Sequence, residues 1–265
     1  MKIWKSIVSL GLSLALTLPA AAAAFTDQGE IRHKEAVDGC VRLGIIGGYP
    51  EGDFRPQGGV TRAQMCKLIC IAVNGGTQPD LKAIPNKVTF TDTASSWAKD
   101  YIAYCATNGI VSGMGDGRFA PDSGVTATQA AKMLLVSLGY DAKAEGFNDG
   151  PLWAQNVEHE AAAAALYDGL TGLERDKPLS RDNAARMIWN TLHACEVEYV
   201  EQTVTVEGEE ITLLVQRDRL SEDGTLLTML KEKFGLDVLP PAEGEEPLPG
   251  DGEDSNDLPT QEDHL

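Results

Sequence analysis

The sequence predicts an all-α domain of three tandem helix-loop-helix repeats, followed by a small hairpin-plus-helix appendage and a disordered acidic tail. Three observations carry this. Residues 25–73 align with residues 90–138 at a constant offset of 65 without a gap, which brings Phe25 onto Phe90, Asp27 onto Asp92, Cys40 onto Cys105, Phe54 onto Phe119 and Thr61 onto Thr126. Apolar residues recur at helical spacing on both sides of a glycine-rich loop in each copy. A more worn third copy runs from Phe147 through Trp153 and Gly169 to Leu179-Ser180-Arg181, with a shortened loop. Units of about fifty residues are too small to bury enough surface alone, so the three must share a core.

The chain opens with Lys2 and Lys5, an apolar run from Ile7 to Leu18 and the small-residue tract Ala20 to Ala24, the pattern of a secretory signal peptide over residues 1–24. The apolar run is shorter than the roughly 20 residues a spanning helix needs. No other stretch is long and apolar enough, so no transmembrane segment is expected after cleavage.

The first helix of repeat 1 (25–76) carries Ala36, Val37, Cys40 and Val41 on one face. In repeat 2 (90–140), Ser95 or Ser96 caps a helix expected from Trp97 to about Thr107. Gly44 and Gly109 supply the left-handed stop. The second helices open with Thr61-Arg62-Ala63-Gln64 and Thr126-Ala127-Thr128-Gln129, both capping boxes. Their apolar faces follow as Met65, Leu68, Ile69 and Ala72, then Met133, Leu134 and Leu138. Repeat 3 (147–195) supplies Met187, Ile188 and Leu192. In the appendage (196–238), residues 199–206 and 209–216 alternate like two strands, and residues 225–234 read as a short helix ending at Gly235. The tail, 239–265, has five prolines, nine acids and no Lys or Arg, and is expected to be disordered.

Phe-x-Asp, then Trp-Ala, Gly-Ile, Asp-Gly-x-Phe-x-Pro and Val-Thr-Arg-Ala-Gln before an apolar helix, several of these elements recurring in one order, resemble the S-layer homology family over residues 25–192. The resemblance implies a pseudo-threefold domain. Grooves between its repeats would hold a secondary cell-wall polysaccharide, often bearing a pyruvate ketal, so that the exported chain is secreted and tethered at the cell wall or surface of a bacterium. It also implies site residues. Arg62 and Arg181 match the family's binding arginine, which Ala127 replaces in repeat 2. Trp97 and Trp153 match its first-helix tryptophan, where repeat 1 has Arg32. Asp27, Asp92 and Asp149 match its opening acid and are read first as caps or turn formers before the first helix, with ligand contact second.

A guanidinium meets a planar carboxylate through two parallel hydrogen bonds, and a helix N-terminus would add free N–H groups. Because both arginines lie on a first helical turn, replacing them is expected to leave the thermal transition nearly unchanged while lowering wall retention. A tryptophan face could stack on a sugar ring or serve as a core anchor.

A formal charge of −18, or −20 once Lys2 and Lys5 are removed, argues against nucleic acid. The five cysteines lack Cys-x-x-Cys spacing and read as small buried hydrophobes. No cofactor or metal is expected: His159-Glu160 is followed by alanines, the four histidines are scattered, and the Gly115-Asp116-Gly117 turn lacks calcium or phosphate-loop spacing. No enzyme constellation has diagnostic spacing. The alternative to glycan anchoring is a structural or interaction module with a protein partner at the C-terminal appendage.

Overall fold

The computed structural model describes residues 25–82, 84, 87–148, 150–206 and 209–239. The expected signal peptide, nearly all of the acidic tail and Asp149 lie outside them. Seven α-helices and two strands are formed among the described residues: α1 (Lys34–Arg42), α2 (Arg62–Val73), α3 (Lys99–Thr107), α4 (Ala127–Ser137), α5 (Trp153–Ala163), α6 (Arg181–His193), β1 (Val197–Val206), β2 (Glu209–Asp218) and α7 (Met229–Phe234). The molecule is therefore mainly helical with one small antiparallel sheet. None of these helices is long and apolar enough to cross a membrane.

Both capping boxes form. Thr61 Oγ1 accepts the Gln64 N–H at 3.2 Å while Gln64 Oε1 accepts the Thr61 N–H at 2.8 Å, and Thr126 and Gln129 do the same. Gly44 and Gly109, each at φ 72°, end α1 and α3. The α3 helix begins two residues later than expected, because Ser96 Oγ accepts the Ala98 N–H at 3.2 Å and holds residues 96–98 in a turn. Trp97 is thereby left outside the helix. Likewise α7 starts at Met229, not Thr225: Leu226 pairs with Leu220 and Thr228 with Cys195 in isolated bridges, and Thr228 then caps the helix.

The second helix of each predicted repeat packs on the first helix of the next, α2 on α3, α4 on α5 and α6 back on α1. The same cyclic order closes at the centre. Val60 N donates to Leu179 O (2.9 Å), Leu179 N to Val125 O (2.8 Å) and Val125 N to Val60 O (2.9 Å). One apolar core results, with Phe54, Phe119 and Phe147 at 0% exposure. No repeat can keep this core without the other two. The buried Met229 and Leu230 of α7 join it, and Val197 N donates to Leu138 O at 2.9 Å, so the appendage is docked at its base. Cys40, Cys66, Cys70 and Cys105 are all fully buried, with Cys70 Sγ 3.6 Å from Cys105 Sγ between α2 and α3.

Candidate functional site

The opening acids fasten a loop; they do not cap the next helix. Asp27 accepts the N–H groups of Phe54 and Arg55 at 2.8 and 2.7 Å, and Asp92 accepts those of Phe119 and Ala120, both at 2.8 Å. Arg55 and Ala120 sit at φ 58° and 60°, a left-handed conformation that costs a non-glycine residue about 1 kcal/mol or more. The two-pronged carboxylate holds that strained corner. Both carboxyl groups lie below the usual carboxylate range; for Asp92 the hydrogen bond from Phe119 is the largest cause. Behind the loop, Phe25 and Phe90 contact Phe54 and Phe119 at 5.3 Å between ring centres. A Cβ on Gly48 or Gly113 would come within 2.5 or 2.7 Å of those outer rings.

The arginines are held more deeply than a first-turn position suggests. Arg62 is 8% exposed, with Nε donating to Phe119 O at 2.9 Å, Nη2 to Ser112 O at 3.0 Å, and its guanidinium carbon 4.3 Å from the centre of the Phe119 ring. Arg181 repeats this on the first loop: Nε to Phe54 O at 2.8 Å, Nη2 to Gly47 O at 2.9 Å, with the Phe54 and Tyr49 rings 4.8 Å away. Burial lowers both pKa values from the ordinary arginine range. Each arginine therefore joins two predicted repeats, and the expectation that both can be removed without loss of thermal stability is corrected. The helix N-termini are not free either: the Arg62 and Ala63 N–H groups donate to Ser123 O and Pro121 O, and those of Arg181 and Asp182 to Gly58 O and Pro56 O. With the Nε–Nη2 side spent on carbonyls, the end of the guanidinium around Nη1 is what remains for a ligand.

Two matching grooves open beside these arginines. The first, about 350 Å³, lies between Arg62, the Ser112–Met114 loop, Gln129, Lys132, Asn148 and Trp153. The second, about 290 Å³, lies between Arg181, the Gly47–Tyr49 loop, Gln64, Lys67 and Trp97. Each takes its arginine from one repeat, its floor from a second and its tryptophan from a third. Trp97 is 60% exposed, whereas Trp153 is half-buried at the start of α5. Lys132 Nζ donates to Asn148 Oδ1 at 2.7 Å. In a chain of formal charge −18, neither groove has an Asp or Glu among its described lining residues. Sequence reasoning missed Lys67 and Lys132, although their offset is also 65; on one helix they read as ordinary exposed lysines.

A third groove is built differently. A groove of about 300 Å³ lies between Glu35, Asp168, Arg186 and Trp189. Arg186 Nε donates to Asp168 O at 2.9 Å and Nη1 is 3.7 Å from Glu35. Repeat 2 has Ala127 at the arginine position, and position 32, just before α1, is arginine where the other copies have tryptophan. Where Arg62 and Arg181 brace the other loops, Glu158 takes over: it accepts from Thr128 Oγ1 at 2.5 Å and from Tyr167 at 3.1 Å and pairs with Arg175, which covers the Tyr167 ring at 4.2 Å. Among the described residues no group of three or more His, Cys, Asp or Glu is placed to hold a metal.

Comparison with known proteins agrees with this architecture. The S-layer homology domain model matches residues 24–66 and 89–131. The chain is 29% identical to a surface-layer 125 kDa protein of Lysinibacillus sphaericus over 83% of its length, and 26% identical to a surface layer protein of Brevibacillus choshinensis over 86%. It spans about 19% of the length of each of these relatives. It is also 28% identical, over 47% of its length and 30% of the relative, to a cellulosome-anchoring protein of Acetivibrio thermocellus. Residues 24–66 and 89–131 match the S-layer homology domain, and the similarity to surface-layer and cell-wall proteins places the chain at the cell surface or cell wall.

Proposed function

We propose that the chain binds a secondary cell-wall polysaccharide non-covalently and is thereby anchored at the bacterial surface, through two grooves and not three. The observation that supports this best is the pair of cationic grooves walled by tryptophan, without an Asp or Glu among their described lining residues, on an otherwise acidic protein. A negatively charged sugar substituent such as a pyruvate ketal fits between Arg62 and Lys132, or Arg181 and Lys67, where charge-assisted hydrogen bonds contribute roughly 1.5–3 kcal/mol each. The adjoining indole offers an apolar face to a ring. Glu35 and Asp168 would repel the same ligand from the third groove.

In this reading residues 25–76, 90–140 and 147–195 are three wall-binding repeats in a pseudo-threefold arrangement, a view supported by the ring of hydrogen bonds among Val60, Val125 and Leu179. Asp27 and Asp92 act by shaping the loop on which each arginine rests. The role is structural, and residues 196–238 form a separate attachment to the same body.

The test is co-sedimentation of the purified protein with Gram-positive wall sacculi before and after removal of their secondary polysaccharide. Binding lost on stripping supports the reading. Binding to neither preparation rejects it, and binding that survives stripping points to peptidoglycan.

A further inference from the structure

The hairpin β1–β2 leaves large apolar side chains exposed. Directly opposed residues share a face, so Val200 with Val215, Gln202 with Leu213 and Val204 with Ile211 form one side. Tyr199 with Gln216 and Glu201 with Leu214 form the other. The second side meets the helical body at its base, where Tyr199 Oη donates to Glu145 Oε1 at 2.7 Å and accepts the Asp141 N–H at 3.1 Å. Away from that base both sides expose apolar side chains, Ile211 and Leu213 at 43% and 46% on the first and Leu214 at 56% on the second. The sheet has only two strands, each ten residues long, so both outer edges are open. Neither strand contains the proline or lysine that commonly blunts such an edge, and an isolated two-stranded hairpin is marginal in water.

We propose that β2 pairs antiparallel with β2 of a second copy of this chain, making a four-stranded sheet. The strand is self-complementary in one register. With Leu213 opposite Leu213 of the second copy, Ile211 lies opposite Val215, Glu210 opposite Gln216 and Glu209 opposite Arg217. Apolar meets apolar, acid meets base, and the common face of Ile211, Leu213 and Val215 stays continuous across the seam, as a one-residue slip would not allow. The β1 edge has no such register, because its only charged residues are Glu198 and Glu201. Arg217 already has Nε 2.9 Å from Glu198 of its own hairpin, which holds the guanidinium at the strand where the second copy's Glu209 would reach it. The overall charge of −18 opposes association in general, so this local match is what brings two copies together.

Sedimentation velocity of the purified protein over a range of micromolar concentrations tests this. The expected result is a reversible dimer that Leu213→Lys converts to monomer, with unchanged circular dichroism. Glu209→Arg weakens the dimer about tenfold and Arg217→Glu added to it restores the pair. Leu213→Cys, self-opposed across the axis, cross-links under mild oxidation faster than Leu226→Cys, a comparably exposed control. A monomer at every concentration overturns the proposal, as does a dimer indifferent to Leu213→Lys and to the charge reversal, or equal cross-linking of the two cysteines. None of these readings depends on glycan binding.

Discussion

Arg62 is a brace before it is a ligand group. Its two carbonyl hydrogen bonds and its contact with Phe119 tie the start of α2 to the second loop. Because bonds to a charged donor are worth roughly 1.5–3 kcal/mol, Arg62→Ala should cost about 2–3 kcal/mol of stability as well as wall binding. Thermal unfolding by circular dichroism measures the first effect; a transition unchanged from the wild type would contradict the brace. Arg62→Lys keeps the charge but cannot span both carbonyls, so it should recover little of the loss. Asp92 supplies a pH prediction. Its folded pKa is lowered, chiefly by the hydrogen bond from Phe119, so its contribution is complete above the unfolded value of about 3.9 and is lost as pH falls through the folded value. Asp92→Asn should therefore lower the melting temperature at pH 7 and flatten its decline in acid below about pH 4, measured by melts across that range. An equally steep decline in the variant would remove Asp92 from the explanation.

At the scale of elements, the capping boxes, glycine stops and apolar faces were legible because each depends on residues within four positions of one another. The late starts of α3 and α7 were not. Ser96 competes for the backbone before α3, and pairing with residues far along the chain holds Leu226 and Thr228 out of α7. The helix faces also decide thiol chemistry: α1, α2 and α3 bury Cys40, Cys66, Cys70 and Cys105, whereas Cys195, just after α6, is half-buried. Burial raises the Cys40 and Cys105 thiols far above the ordinary range. In the reduced native protein an aromatic disulfide reagent should titrate Cys195 alone, and the other four only after denaturation. Rapid release of more than one equivalent would mean that the α2–α3 contact opens readily.

For the whole molecule, cyclic packing of the helices goes with three unequal grooves among the described residues. Calorimetric titration with soluble pyruvylated wall fragments should give about two sites per chain, reduced to about one by either Arg62→Ala or Arg181→Ala. Three equal sites would reject the assignment of the Glu35–Asp168 groove as the inactive one.

Sequence alone determined the first two repeats, the capping boxes and glycine stops, and the resemblance to S-layer homology domains, since these depend on local spacing and on residue type. Tertiary structure decided which residues share a groove. The arginine, floor and tryptophan of each come from three different repeats, so no window along the chain contains a site. The physical reason is the closed ring: packing each second helix on the next repeat's first helix brings distant residues together, and a linear reading has no register for that closure.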